Sequence, residues 1–238
     1  MEEWLSRTSL LVGEPAVARL QQAHVLVVGV GGVGAYAAEM IARAGVGEMT
    51  IVDADTVAAS NINRQLVATN ATLGQPKVEV LAQRLRDINP HLKLHAEQRY
   101  IEPETVASLL DRDFDFVVDA IDTLAPKVAL LTTCLRRKMR VISSMGAGAR
   151  VDPSAVAYAD IADTCYCGLA REVRHRLRAA GIRRGLKVVF SHEPPRASAV
   201  LSSSGERNKR STVGTVSYLP AVFGCYLAAY VIRKLAEI

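Results

Sequence analysis

The segment AHVLVVG, residues 23–29, is a continuous apolar run that ends in glycine, and VGGVG follows it directly. An uninterrupted run of this length reads as a strand buried on both faces, as in a parallel sheet. From Gly34 to Ala44, Tyr36, Met40 and Ile41 recur at helical spacing, and EMTIVDAD (48–55) reads as a second strand ending in acids. Residues 23–55 therefore form a βαβ unit of the usual size, with its strands parallel. This unit restricts the chain to an α/β fold.

The remaining pattern continues the alternation. Helices are predicted at 74–90, with Pro76 near the first turn, at 103–111, and over PKVALLTTCLRRK (126–138). Strands are predicted at HLKLHAE (91–97), FDFVVDAID (114–122) and RVISSMGAG (140–148). After Gly148 the pattern loosens into a strand at AVAYADI, a basic helix at LAREVRHRLRAAGI and a strand at LKVVFS. The expected fold is Rossmann-like: a doubly wound, mostly parallel sheet with helices on both faces. Residues 1–150 are read as the nucleotide domain. Residues 151–238 are read as an extension of the same globular unit, with a mobile polar loop at 194–214 and an apolar final helix.

That final helix contains VSYLPAVFGCYLAAYVI (216–232), 17 residues without a charge and interrupted by Pro220 and Gly224. This is the lower limit for a bilayer span, so a buried or subunit-interface helix is expected rather than a membrane anchor. The four cysteines (134, 165, 167 and 225) have no disulfide-framework spacing, and MEEWLSRTSLL lacks a basic leader, so a reducing cytoplasmic setting is expected. The chain carries a formal charge of +5, concentrated between Arg171 and Lys187 and again at Arg207–Arg210, which suits an anionic partner.

Gly29, Gly31, Gly32 and Gly34 permit a tight turn and close approach of phosphate oxygens, while the following helix offers free N–H groups. Asp53 stands where a carboxylate accepts hydrogen bonds from ribose hydroxyls. These features do not separate ATP from NAD or FAD. The segment SNINRQLVATNATLGQPKVEV (60–80) does, because it adds cations. Arg64 can clamp phosphate oxygens, and Lys77 stands in a first helical turn, where the macrodipole disfavours a cation unless an anion lies opposite. Asp119 and Asp122 end a strand at the ligand-binding edge. Asp122 is the better Mg²⁺ candidate, whereas Asp119 also reads as a helix cap or a partner of a glycine-loop amide.

GVGGVG, IVDAD, SNINRQ, GQPKVE and DAID, in that order, resemble the ubiquitin-activating-enzyme superfamily of ATP-dependent adenylating enzymes. The resemblance implies that Gly32 meets the phosphates and Asp53 the ribose. It also implies that Asn61, Arg64 and Lys77 contact the triphosphate, that Asp122 holds Mg²⁺, and that Arg7 reaches the γ-phosphate in the other subunit of a homodimer. Members that activate sulfur carriers hold zinc with two C-x-x-C pairs. Cys165-x-Cys167 lacks that spacing and a second pair, so no structural zinc is expected. SRTSLLVGE, INPHLKL, DAIDTLAPKVAL, SSMGAGARVDP and FGCYLAAYVIRKL resemble instead the branch of tRNA threonylcarbamoyladenosine dehydratases, with residues 163–213 divergent.

That branch implies an ATP-driven cyclisation on tRNA carrying threonylcarbamoyladenosine, with a sulfur-relay protein as a further candidate partner and Cys165, Cys167 and Cys225 as candidate acceptors. Tyr158 and Tyr166 are candidates for base stacking. The alternatives are an adenylyltransferase for the C-terminus of a ubiquitin-like sulfur carrier and a non-catalytic NAD-binding module.

Overall fold

A computed structural model describes residues 2–202 and 211–238. It opens with two helices that the patterning did not anticipate, α1 (Ser6–Val12) and α2 (Glu14–Gln22), joined at Gly13. They are followed by β1 (His24–Val28), α3 (Gly34–Arg43), β2 (Glu48–Asp53), α4 (Lys77–Ile88) and β3 (Lys93–Gln98). Next come α5 (Val106–Leu109), β4 (Phe116–Asp119), α6 (Leu124–Arg136), β5 (Val141–Ser144) and β6 (Val156–Asp160). The chain ends with α7 (Gly168–Ala179), β7 (Lys187–Ser191), β8 (Val200–Ser202), β9 (Ser211–Val213) and α8 (Tyr218–Ala236).

Seven strands form one sheet in the order β3-β2-β1-β4-β5-β7-β6, parallel except for β6, which runs antiparallel to β7 at the edge. This is the doubly wound α/β fold expected from the alternation. The order reverses between β1 and β4, so a crevice opens beyond their C-terminal ends, the usual place for a ligand.

Alternate residues of each strand serve two cores. Val25, Val27, Met49, Ile51, Phe116 and Val118 face α3, α4 and α8. Leu26, Val28, Val52, Val117 and Phe190 face α5, α6 and α7. The sheet continues into residues 156–191, and α8 lies against α2, α3 and β5, so the C-terminal third packs on the rest of the chain. Among the described residues, α8 alone is long and apolar enough to cross a membrane. Its Leu219, Phe223, Leu227 and Val231 are buried in the protein core instead. A Cβ added at Gly224 would lie 2.5 Å from the Val33 carbonyl oxygen, so glycine lets α8 approach α3 closely.

Helix α4 runs Lys77–Ile88 with Pro76 immediately before its first turn, in keeping with the sequence pattern. One expectation changes. The polar stretch 194–214 is not a loop throughout, because Val200–Ser202 pairs antiparallel with Ser211–Val213. Residues 203–210, including Arg207–Arg210, lie outside the described residues.

Under the crevice is a fully buried ion pair. Lys127 Nζ lies 2.7 Å from Asp119 Oδ2 and also donates to the Ile121 carbonyl. Asp119 accepts from Ser143 Oγ (2.6 Å) and the Ile121 amide (3.1 Å). Asp119 is therefore neither a helix cap nor a partner of a glycine-loop amide. It fixes the exit of β4 to α6 and β5. Removing one partner of a buried pair leaves an uncompensated charge. Lys127→Met should lower unfolding free energy by about 3–5 kcal/mol in chemical denaturation, and Asp119→Asn in the same chain should restore part of it. A loss below about 1 kcal/mol would show that the pair is not what holds this turn.

Candidate functional site

Two positions of the glycine turn pack without room for a side chain. Gly29 has φ 86°, and a Cβ there would lie 2.8 Å from the Ala120 carbonyl oxygen. A Cβ at Gly34 would meet the Gly29 carbonyl at 1.8 Å, so α3 must start directly over the end of β1. Gly31 and Gly32 face the segment after β2 instead. A Cβ at Gly32 would lie 3.4 Å from the Arg64 carbonyl and 3.2 Å from Pro220, at the start of α8. The turn is thus flanked by the Arg64 segment and by the C-terminal helix.

Asp53 secures this turn. Its Oδ2 accepts the Val30 amide at 2.7 Å and its Oδ1 the Asp55 amide at 2.8 Å. Burial raises its carboxyl above the ordinary aspartate range, against the lowering effects of the Asp55 amide, the Lys77 charge and the Val30 amide. Each oxygen keeps a second lone pair that a ribose hydroxyl can use.

Residues 55–57 and 74–77 run antiparallel past one another, bridged at Thr56 and Pro76. The Lys77 amide donates to the Asp55 carbonyl, which sets the start of α4 beside the end of β2. Lys77 is only 4% exposed, so it is not a surface lysine. Its Nζ lies 2.8 Å from Asp55 Oδ2, which supplies the anion that a cation in this position requires.

Asn61 Oδ1 accepts the Ala58 amide and closes a helical turn. Arg64 curls onto that turn, donating to the Ser60 carbonyl and Asn63 Oδ1, with its stem against Gly32. Gln65 was not singled out by sequence reasoning. It is 9% exposed, its amide faces Gly31, and its Oε1 has no hydrogen-bond partner among the described residues. A buried polar atom without a partner beside a glycine loop fits a site completed by a bound polar ligand.

Asp122 is exposed just beyond β4, two residues after Ala120, whose carbonyl packs against Gly29. Arg7 is elsewhere. Its helix follows Leu5, which packs against Gly45 past the C-terminal end of α3, while Glu2 approaches His91 beyond α4. Arg7, Glu3, Trp4 and Ser6 border an open cleft of about 600 Å³ there. The fold thus gathers the glycines, Asp53, Arg64 and Lys77, and leaves Arg7 at the opposite edge of the sheet.

Residues 5–238 match the family model described as ThiF family. The chain belongs to the ThiF family. It is 38% identical to the tRNA threonylcarbamoyladenosine dehydratase of Bacillus subtilis (strain 168), over 98% of this chain and 94% of that protein. The crystal structure of the Escherichia coli tRNA N6-threonylcarbamoyladenosine dehydratase, TcdA, in complex with ATP superposes with a TM-score of 0.89 at 32% identity, covering 99% of this chain and 94% of that one. The Escherichia coli (strain K12) molybdopterin-synthase adenylyltransferase is 36% identical, but over 64% of this chain and 60% of its own length.

Within this ThiF-family chain, another cluster has the composition of a metal site. His24, Glu48 and His95 bring ligand atoms within 4.8 Å of one another. The Glu48 Oε1 they share already lies 2.9 Å from Lys93 Nζ, and Thr50 Oγ1 lies 2.9 Å from His24 Nε2, so the cluster reads as an ion-pair network. The candidate sulfur acceptors differ in environment. Cys165 Sγ lies 3.7 Å from His192 Nδ1, and Cys167 Sγ accepts the Ala170 amide. Burial raises the Cys225 thiol above the ordinary cysteine value.

The grip of Asp53 on Val30 and Asp55 yields a direct test. Asp53→Ala leaves two amide groups of the turn without their acceptor and should cost about 1–3 kcal/mol in denaturant unfolding. Asp53→Asn retains one acceptor oxygen and should cost less. Equal losses for the two variants would argue against the carboxylate bridge.

Proposed function

We propose that this chain is an ATP-dependent tRNA threonylcarbamoyladenosine dehydratase that works as a homodimer. The observation that carries this reading is similarity to dehydratases along nearly the entire chain, whereas the match to a carrier-activating adenylyltransferase covers 64% of it. ATP fits the glycine turn, the orphaned Gln65 oxygen and the two cations beside them.

The threonyl carboxylate of the modified adenosine is a poor electrophile, because its leaving group would be an oxide. Attack of a carboxylate oxygen on a phosphorus of ATP forms an acyl phosphate or acyl adenylate and expels ADP or pyrophosphate. The neighbouring carbamoyl group then attacks the acyl carbon, closes a five-membered ring, releases an N–H proton to solvent and expels phosphate or AMP, which carries the carboxylate oxygen away. Ring closure is intramolecular and needs no enzyme nucleophile. The protein aligns the groups and offsets charge, with Gly31 and Gly32 amides, Arg64 and Lys77 around the phosphates. On this reading Lys77 moves from Asp55 toward a phosphate, Asp53 holds the ribose, and Asn61 supports the Arg64 turn. Asp122 is a single exposed oxygen donor suited to Mg²⁺, which when bound would neutralise phosphate charge. Arg7 acts across the dimer, consistent with its distance from its own glycine turn.

Incubation with ATP, Mg²⁺ and tRNA bearing threonylcarbamoyladenosine, followed by mass spectrometry of the nucleosides, tests the reaction. A cyclic nucleoside lighter by one water is expected, and its absence would remove the assignment. Lys77→Ala should lower turnover by about 100-fold or more while the fold persists, because the exposed Asp55 left behind is solvated. Undiminished turnover would take Lys77 out of the site. Arg7→Ala and Arg64→Ala homodimers should both be inactive, and mixing them should restore activity through one intact shared site. No recovery in verified heterodimers would count against the shared geometry.

A further inference from the structure

Of the two tyrosines that could stack on a base, the structure separates one from the other. Tyr158 is committed to the core, with its hydroxyl donating to the Tyr226 carbonyl and its ring against Tyr226 and Tyr230. Tyr166 is 59% exposed and has φ 51°, a left-handed conformation that is costly for a large side chain. Such strain persists only where surrounding structure enforces it.

The enforcing group is Arg150, which is 4% exposed. Its guanidinium donates to the carbonyls of Tyr166, Gly146, Gly148 and Glu193 at 2.5–3.0 Å. Both neighbours of Tyr166 are held as well, Cys165 beside His192 and Cys167 at the start of α7. A buried cation thus clamps the turn so that an aromatic ring projects from it.

The turn lies at the reactive edge of the sheet. Gly146 and Gly148 directly follow β5, which is separated from β1 by β4 alone. Two strand spacings put the end of β5 roughly 10 Å from the end of β1. From this turn α7 leads away with Arg171, His175 and Arg178 exposed at successive i, i+4 and i+7 positions, one face of the helix. An exposed ring followed by two arginines flanking a histidine has the chemistry of a single-stranded nucleic-acid contact, stacking first and backbone phosphates after.

We propose that Tyr166 is the platform on which an unpaired base of the tRNA anticodon loop stacks, holding the modified adenosine over the crevice. This rests on the tRNA reading above. Tyr166 acts by binding the substrate's base rather than in the chemical steps.

The test compares wild type with Tyr166→Phe, Tyr166→Ala and Tyr166→Gly, measuring nucleoside conversion, direct tRNA binding, the KM for ATP and the melting temperature. Phenylalanine keeps the ring and should behave as wild type. Alanine and glycine should each raise the KM and Kd for tRNA by about 10-fold or more and leave the KM for ATP unchanged. Glycine should also raise the melting temperature, because it adopts positive φ without strain. A stabilised glycine variant that binds tRNA poorly separates stacking from a structural role. Alanine and glycine variants with tRNA KM and Kd within twofold of wild type would overturn the proposal. If the wild type converts no threonylcarbamoyladenosine, the proposed function fails, and Tyr166 is then judged on tRNA Kd alone.

Discussion

The site depends on a steric constraint: the end of β1 and the start of α3 meet at a separation that excludes a Cβ. Gly34 lies so close to the Gly29 carbonyl that any side chain would overlap it. This contact sets the start of α3 at the crevice between β1 and β4, where the Ala35 amide donates to the Gly31 carbonyl and the Ala37 amide to the Val33 carbonyl. Asp53 then fixes the turn from the second strand by accepting the Val30 amide. The path of the loop is therefore a property of backbone, set by which residues lack side chains.

Cations brought to such a loop must be stored without collapsing onto it when no anion is present. The structure stores Lys77 on Asp55 and Arg64 on the Ser60 carbonyl and Asn63. Neither arrangement is costly to leave, since Asp55 is two-thirds exposed and the arginine contacts sit on an open turn. Asp55 keeps its side of the pair in solvent, so on the ATP reading a triphosphate of greater charge can draw the buried Lys77 ammonium away from it. The Asp119–Lys127 pair is the contrast. With both partners inaccessible and three further hydrogen bonds fixing them, it is a scaffold and not a reserve of charge.

Much of the fold was legible because its signals are local. The apolar strands, the glycine turn and the acid ending β2 each occupy a few consecutive residues, and the buried parallel sheet follows from them. What escaped depends on distant partners. Asp119 finds its cation eight residues away and its hydroxyl on the next strand, so sequence alone left it between a cap, a loop contact and a metal ligand. Gln65 reads as an ordinary polar residue until the fold buries it against Gly31. Pairing of Val200–Ser202 with Ser211–Val213 was hidden by polar composition, because a two-stranded ribbon needs little apolar patterning. Tyr158 and Tyr166 could both be named as stacking candidates, but nothing in sequence separates them, since the Tyr166 carbonyl is held by an arginine 16 residues earlier.

The position of Arg7 shows how far one chain can complete this chemistry. Helices that return antiparallel to the strands carry the chain from the glycine edge to the opposite edge, and α3 does so over ten residues, about 15 Å. Leu5 is wedged beneath Gly45 at that far end, where a larger residue than glycine would collide with it. This contact fixes α1 there, with Leu10 and Leu11 almost fully exposed beside Arg7. Two adjacent leucines facing solvent on a short helix are an apolar surface suited to burial against another chain. On the homodimer reading, a second copy that brought its own glycine edge alongside would cover these leucines and gain a third side-chain cation for the phosphates in the same step. Subunit association and site completion would then be a single event.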